Sequence, residues 1–326
     1  MSNNDNDIQA EAQAFDSRID QRVAAGFVPD LRRAVKCEYF YKSFWRDPLF
    51  IKLYLGWIMD GFLDLLDTHC GKGLRILDVG CGAGYMSLEL ARNGHHVEAL
   101  DISASCIGHA RQVLEENPYT EGFGSLNYSV LAFEDMQKAM ADKTFDVILF
   151  SVSMHHMMDV QAVVDVCHAM LPDKGHLVFY EPCHERFRVQ DAAQVALIRG
   201  LLALTGYWYD PEDILPHLKD DKALAAYFED THYEYVMERD KNEPGGQSPH
   251  DLEANGEEIL SAARSRFREI ETRPGCSFIY RLLGGLRGDE EKVKQLAEFI
   301  TLYERVCVNN GFIKENMFYF VGQKDA

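Results

Sequence analysis

From residue 75 onward, short apolar runs recur at Arg75–Val79, Val97–Leu100, Asn127–Leu131, Asp146–Phe150 and His176–Tyr180. Runs of this length bounded by turn signals fit strands covered on both faces. The intervening stretches Tyr85–Asn93, Ala104–Asn117 and Val160–Met170 carry apolar residues at helical spacing. The last two follow Ser103 and Asp159, whose side chains suit the free amides of a helix start. Strand alternating with helix predicts a parallel, doubly wound sheet. Further on, Phe267–Thr272 and Met317–Gln323 flank a predicted helix Glu290–Asn309, with Gly311 placed as its stop. They would complete a seven-stranded, Rossmann-like α/β sheet, mostly parallel, with an antiparallel C-terminal strand.

Two regions break this rhythm. Residues 1–14 are polar and predicted frayed, and Phe15–Trp57 mixes aromatic and charged residues as a helical cap would. From Arg186 to Glu271 helical signals dominate, interrupted by the turn-rich run 241–250, which reads as an inserted helical lid. The expected division is a cap over 1–70, a core over 71–184, a lid insertion over 185–265 and a closing part of the core sheet over 266–326.

Charge narrows the partners. The chain of 326 residues carries 33 Lys and Arg against 52 Asp and Glu, a formal charge of -19. Such a surface repels phosphate backbones and anionic lipid, so nucleic acid and membrane are disfavoured as partners and a small molecule is favoured. No apolar run approaches the ~20 residues needed to cross a bilayer. Residues 1–7 lack the basic and apolar blocks of a leader. The eight cysteines form no C-x-x-C pair, so neither a disulfide ladder nor a metal site is expected, and a cytoplasmic setting fits best. The inserted helices would also offer a surface for a homodimer.

The densest chemical signal is Ile76-Leu77-Asp78-Val79-Gly80-Cys81-Gly82-Ala83-Gly84-Tyr85, an apolar strand running into a glycine turn that opens a helix. Glycine permits positive φ and close approach of a ligand to the backbone, while the helix start beyond offers free amides. A dinucleotide pyrophosphate is one ligand for such turns, but the glycines at 80, 82 and 84 with Tyr85 fail that spacing. A carboxylate at Asp78 also suits an ammonium better than a phosphate. Asp101, about 20 residues further on at the end of the second strand, is placed to hold ribose hydroxyls.

Together, Leu77–Gly84, Asp101-Ile102-Ser103, Phe145-Asp146-Val147-Ile148 and Leu171–Val178 resemble the ordered signatures of class I S-adenosylmethionine-dependent methyltransferases. The resemblance covers roughly residues 70–182. It implies that Asp78, Gly80, Cys81, Gly82 and Gly84 hold the methionine end of S-adenosylmethionine and that Asp101 and Ile102 hold the ribose. It implies further that Phe133 and Glu134 flank the adenine, with Ser151 beside the cofactor. Relatives often carry an acid just ahead of the Phe133 position, where this chain has Ala132. The product would be S-adenosylhomocysteine and the acceptor an O or N atom of a small metabolite.

Methyl transfer to a hydroxyl or amine calls for alignment and a proton acceptor. Strand four runs into Ser151-Val152-Ser153-Met154-His155-His156, at the sheet edge where ligands lie in open α/β folds. His156 is the preferred general base and His155 the second candidate; similar enzymes carry a His at this position. The alternative is that either ring merely packs or caps the next helix. Glu181 at the end of strand five would orient the acceptor or stand solvated. Tyr39, Tyr41 and Trp45 would roof the cofactor or lie in the core. Tyr207, Trp208, Tyr209, Tyr233 and Tyr235 would line an acceptor pocket or pack the lid. Arg264, Arg266, Arg268 and Arg273 read more readily as surface ion pairs than as an anion site. Competing with an enzyme are a catalytically silent S-adenosylmethionine-binding regulator or scaffold and, disfavoured by Asp78 and Tyr85, a dinucleotide oxidoreductase.

Overall fold

Strands β1 (Arg75–Val79), β2 (His96–Asp101), β3 (Ser125–Val130), β4 (Val147–Ser151) and β5 (His176–Pro182) pair in parallel. With β6 (Arg268–Pro274) and β7 (Met317–Gln323) they form one seven-stranded sheet in the order β3-β2-β1-β4-β5-β7-β6. β7 runs antiparallel to both β5 and β6, so it alone of the seven is reversed. The computed structural model describes residues 3–38, 43–237, 248 and 253–325.

Period-two alternation assigns the strand side chains to two cores. Ile76, Val147, Leu149, Val178 and Tyr180 join the core beneath the cap helices, with Phe50, Phe62 and Leu65. Leu77, Val79, Ile148, Phe150, Leu177 and Phe179 join the core on the opposite face, against the helix Val160–Met170. Full burial of one such side chain contributes about 1.5–3 kcal/mol. A one-residue slip would exchange the two sets, so burial fixes the register.

Two boundaries differ from the sequence reading. The segment predicted frayed is helical from its third residue: Asn3–Ala24 is one helix, docked on the start of the helix Ala104–Glu115. There Asp16 accepts from the Ser103 hydroxyl at 2.5 Å and the Ser105 amide at 3.0 Å, while Asp20 meets His109 at 3.1 Å. Tertiary contacts thus supply what the polar sequence does not advertise. The helix Gly256–Arg266, read as part of the lid, instead packs its Ile259, Leu260 and Ala263 into the core beneath the sheet. The rest of that expected insertion forms the helix pair Val189–Leu204 and Asp221–Val236, joined by the buried Arg199, which donates to both Glu234 oxygens at 2.8 and 2.9 Å.

Among the described residues, no helix is long and apolar enough to cross a membrane. Of the turn-rich run 241–250, only Ser248 lies within the described residues.

Candidate active site

At the carboxyl edge of β1 the chain turns through Gly80, Gly82 and Gly84, with φ of 71°, 54° and 77°. The amides of Gly80 and Cys81 both donate to the Leu100 carbonyl, at 2.8 and 3.0 Å, which ties the turn to β2. A Cβ on Gly80 would lie 2.6 Å from the Ser153 Cβ, whereas one on Gly82 would meet no atom of the described residues within 4 Å. Gly82 therefore faces open cavity. Gly84 does not line it; its carbonyl accepts the Tyr128 hydroxyl at 2.8 Å and its role is to start the helix Tyr85–Arg92.

Two carboxylates face this turn. Asp78 is buried; its Oδ2 accepts the Ser87 hydroxyl at 2.5 Å and its Oδ1 has no partner among the described residues. Burial, reinforced by nearby Asp101 and opposed by the Ser87 bond, pushes its carboxyl up to about 6. Asp101 accepts the Gly82 amide on Oδ2 and the Ser103 amide on Oδ1, both at 2.8 Å. Burial raises its carboxyl as well, against those two amides and the His156 ring. A buried acid with an unmet oxygen suits an ammonium, and a second acid anchored by backbone amides keeps its remaining lone pairs for hydroxyls.

The turn opens into a cavity of about 1290 Å³. Ligand sites commonly measure roughly 300–1,000 Å³, so this one has room for a nucleoside and a second molecule beside it. Asp78, Gly80, Cys81, Gly82, Asp101, Ile102, Phe133, Glu134, Ser151, His155 and His156 all line it. Of the residues singled out from sequence, Gly84, Glu181, Tyr207, Trp208, Tyr233 and Tyr235 do not.

Glu181 is wholly buried behind the loop that follows β4. Its Oε1 accepts the amides of Ser153 at 2.9 Å and Met154 at 2.8 Å, and its Oε2 lies 2.7 Å from His155 Nδ1. The loop is further pinned by the Ser153 hydroxyl on the Val79 carbonyl at 2.7 Å. Its first residue, Val152, sits at φ 56°, a left-handed conformation unfavourable for a β-branched side chain. Strain held by such a network marks a loop whose shape is imposed by its surroundings.

The adjacent His156, its ring centre 4.2 Å from that of His155, has different partners. Its Nδ1 lies 3.1 Å from Glu11 Oε1 and its ring meets Phe15 edge-on at 5.3 Å, both on the helix Asn3–Ala24. That helix also brings Ile8, Arg18, Ile19 and Arg22 to the cavity. Arg22 lies 4.9 Å over the Trp45 ring, which touches Tyr85 at 5.5 Å. These residues escaped the sequence reading, although Ile8, Glu11, Phe15, Ile19 and Arg22 recur every three or four positions, the stripe of one helix face.

Of the proposed aromatic roof, Trp45 lines the cavity, while Tyr39 and Tyr41 lie outside the described residues. Tyr209 lines it too. Trp208 and Tyr235 are buried in the hydrophobic core, the latter donating to the Phe278 carbonyl at 2.8 Å. The four arginines are in ion pairs: Arg264 with Glu269, Arg266 with Asp165, Arg268 with Asp325 and Arg273 with Asp64 and Glu271.

A family model described as a methyltransferase domain matches residues 54–238, more than half of the chain. The chain belongs to this family, the class I S-adenosylmethionine-dependent methyltransferases. Among solved structures, the 4+2 cyclase SpnF is 16% identical with a TM-score of 0.50, covering 97% of this chain and 95% of its own. That likeness shows the methyltransferase fold and nothing about the reaction. Among curated relatives, the ubiquinone biosynthesis O-methyltransferase of Azoarcus sp. (strain BH72) is 32% identical over 127 residues, 39% of this chain and 52% of that protein. The protein of the same name from Xylella fastidiosa (strain 9a5c) is 37% identical over 106 residues, 32% of this chain and 41% of its own length. The chain thus spans about half the length of the curated relatives it matches. The methyltransferase cofactor, S-adenosylmethionine, fits the acidic glycine turn through the unmet oxygen of Asp78 and the open face of Gly82.

Proposed function

We propose that the chain methylates a hydroxyl of a small molecule, with His155 as the base. The observation that carries this reading is the 2.7 Å contact between His155 Nδ1 and the buried Glu181, within the wall of the cavity that the glycine turn opens. S-adenosylmethionine supplies an electrophilic methyl group on its sulfonium.

The residues divide the remaining work. Asp78 holds the ammonium and Arg22 the carboxylate of the amino-acid tail, and Asp101 holds the ribose diol. Phe133 and Glu134, at the start of the helix Phe133–Ala139, flank the base. Glu181 is acceptor only when ionised, so it fixes the proton on His155 Nδ1 and leaves Nε2 to take the acceptor's proton. Glu181 is thus a positioning residue. His156, tied to Glu11 and Phe15, joins the roof to the sheet edge. Tyr54, Leu55, Ile58 and Met317 give the acceptor apolar walls, which exclude water from the transfer. O-methylation is favoured over N-methylation because an imidazole base serves a hydroxyl best and because the curated relatives are O-methyltransferases.

The test is turnover with a panel of phenols and catechols, with S-adenosylhomocysteine measured by mass spectrometry. Formation that disappears in His155→Ala while that variant still binds S-adenosylhomocysteine supports the reading. A chain that binds neither form of the cofactor refutes it.

A further inference from the structure

We infer that the chain forms a two-fold homodimer through an apolar face shared by the helices Val189–Leu204 and Glu290–Asn309. The first of these helices is apolar all round. Its inner residues Ala192, Val195, Ala196, Leu202 and Ala203 sit in the core, while Leu197, Leu201 and Leu204 recur at helical spacing on the outside. Its two charged residues, Asp191 and Arg199, are both buried, so its solvent face carries no charge in a chain where 26% of residues are charged. A helix apolar on every side belongs inside a structure, and among the described residues no helix is long and apolar enough to find that interior in a membrane span.

The second helix extends the same surface with Phe299, Leu302 and Val306. Tyr303, whose ring centre is 6.3 Å from that of Phe299, donates its hydroxyl to Gln194 Oε1 at 3.1 Å and so bridges the two stripes. The helices run antiparallel. The Lys314 amide, past the end of the second, meets Asp191 in the first turn of the first, and the Arg287 amide, ahead of the second, donates to the Tyr207 carbonyl just past the first.

The six outer residues are 47–66% exposed and, with the half-buried ones between them, present about 600–700 Å². The largest patch on an ordinary monomer is roughly 300–600 Å², and a stable dimer buries roughly 800 Å² on each partner. A second copy therefore brings the buried total into the lower part of the dimer range of about 1,200–2,000 Å².

Charge selects the second copy as the occupant. In a two-fold contact a group near the axis meets its own copy, so a charge at the centre would repel itself, and here the centre is apolar. Glu298 and Arg305 stand two turns apart on one flank of the Phe299–Val306 stripe, both exposed and neither in an ion pair among the described residues. An axis crossing the helix near Leu302, close to the midpoint of both pairs, sets Glu298 against Arg305 of the second copy and Phe299 against Val306 of the second copy. Each pair then forms twice.

The test is sedimentation velocity on the full chain between about 1 and 50 μM, where an interface of this size should give a species of twice the 37.2 kDa chain mass. Leu201→Glu puts two carboxylates into the apolar centre and should raise the dissociation constant at least about a hundredfold, with S-adenosylhomocysteine affinity unchanged. Glu298→Arg should weaken the dimer about tenfold, and adding Arg305→Glu should restore it. A parent chain that stays monomeric at about 50 μM, a dimer that Leu201→Glu leaves intact, or a Glu298→Arg loss that Arg305→Glu deepens overturns the proposal. If Leu201→Glu fails to fold, Leu197→Gln and the charge swap decide. A monomeric parent that co-sediments with vesicles of phosphatidylethanolamine and phosphatidylglycerol assigns the face to lipid and overturns the dimer.

Discussion

Glu181 Oε2 lies 2.7 Å from His155 Nδ1, at the bottom of a loop whose amides close over the same carboxylate. Removing the proposed base should cost the 10²–10⁴-fold usual for acid–base catalysis. His155→Ala is therefore expected to lower kcat by about that factor with S-adenosylhomocysteine affinity unchanged, as paired kinetics and calorimetry will read. Glu181→Gln should lose less in kcat but more in stability, because it disturbs a buried network.

Asp78 makes cofactor binding depend on pH. Its folded carboxyl is raised to about 6 by burial, above the ordinary 3.8. The stability this group contributes is fully present below 3.8 and is lost as pH rises through about 6. Cofactor binding runs the opposite way, since an ammonium needs the ionised acid. S-adenosylhomocysteine affinity should be level above about pH 7 and fall by up to tenfold per pH unit below 6. Asp78→Asn should bind weakly and without that dependence.

Two glycines of one turn should respond differently to alanine. Both substitutions incur the left-handed penalty of about 1–2 kcal/mol. At Gly80 the new Cβ also collides with Ser153, 2.6 Å away, so melting should fall well below that of Gly82→Ala. Gly82→Ala should fold but lose at least about tenfold in cofactor affinity, because its Cβ enters the ligand's space; thermal melting with calorimetry separates the two effects.

Val152→Gly relieves a strained residue that is 39% exposed and packs little. About 1 kcal/mol should return as stability, a rise of roughly 2 °C in Tm for a chain of this size. Turnover should fall, because the loop carrying His155 loses its imposed shape.

Arg22→Gln should weaken S-adenosylhomocysteine about tenfold and leave 5'-methylthioadenosine, which lacks the amino-acid tail, unaffected. Equal losses for the two ligands would remove Arg22 from the carboxylate's site.

The sheet and its glycine turn were legible because their determinants are local: alternating burial, the helix-capping Ser103 and Asp159, and a carboxylate two residues before a glycine. The limits of β1 and β7 match expectation, and those of the other five strands differ by at most two residues. What could not be read depends on chain segments far apart in sequence. Glu181 stands at a strand end facing the ligand edge, yet the β4 loop folds across it and makes it an internal anchor. His155 and His156 are neighbours with opposite partners, and only the positions of Glu181 and Glu11 tell them apart. The part of the helix Asn3–Ala24 up to residue 14 looked too polar to fold because the helix is held through Asp16 and Asp20 meeting another helix start.

That helix forms one wall of the cavity through Glu11, Phe15 and Arg22. A wall built from a single docked helix, held at Asp16, Asp20 and His156, is easier to swing aside than the sheet opposite it. On the proposed reading, departure of the spent nucleoside is expected to involve these few contacts rather than the sheet.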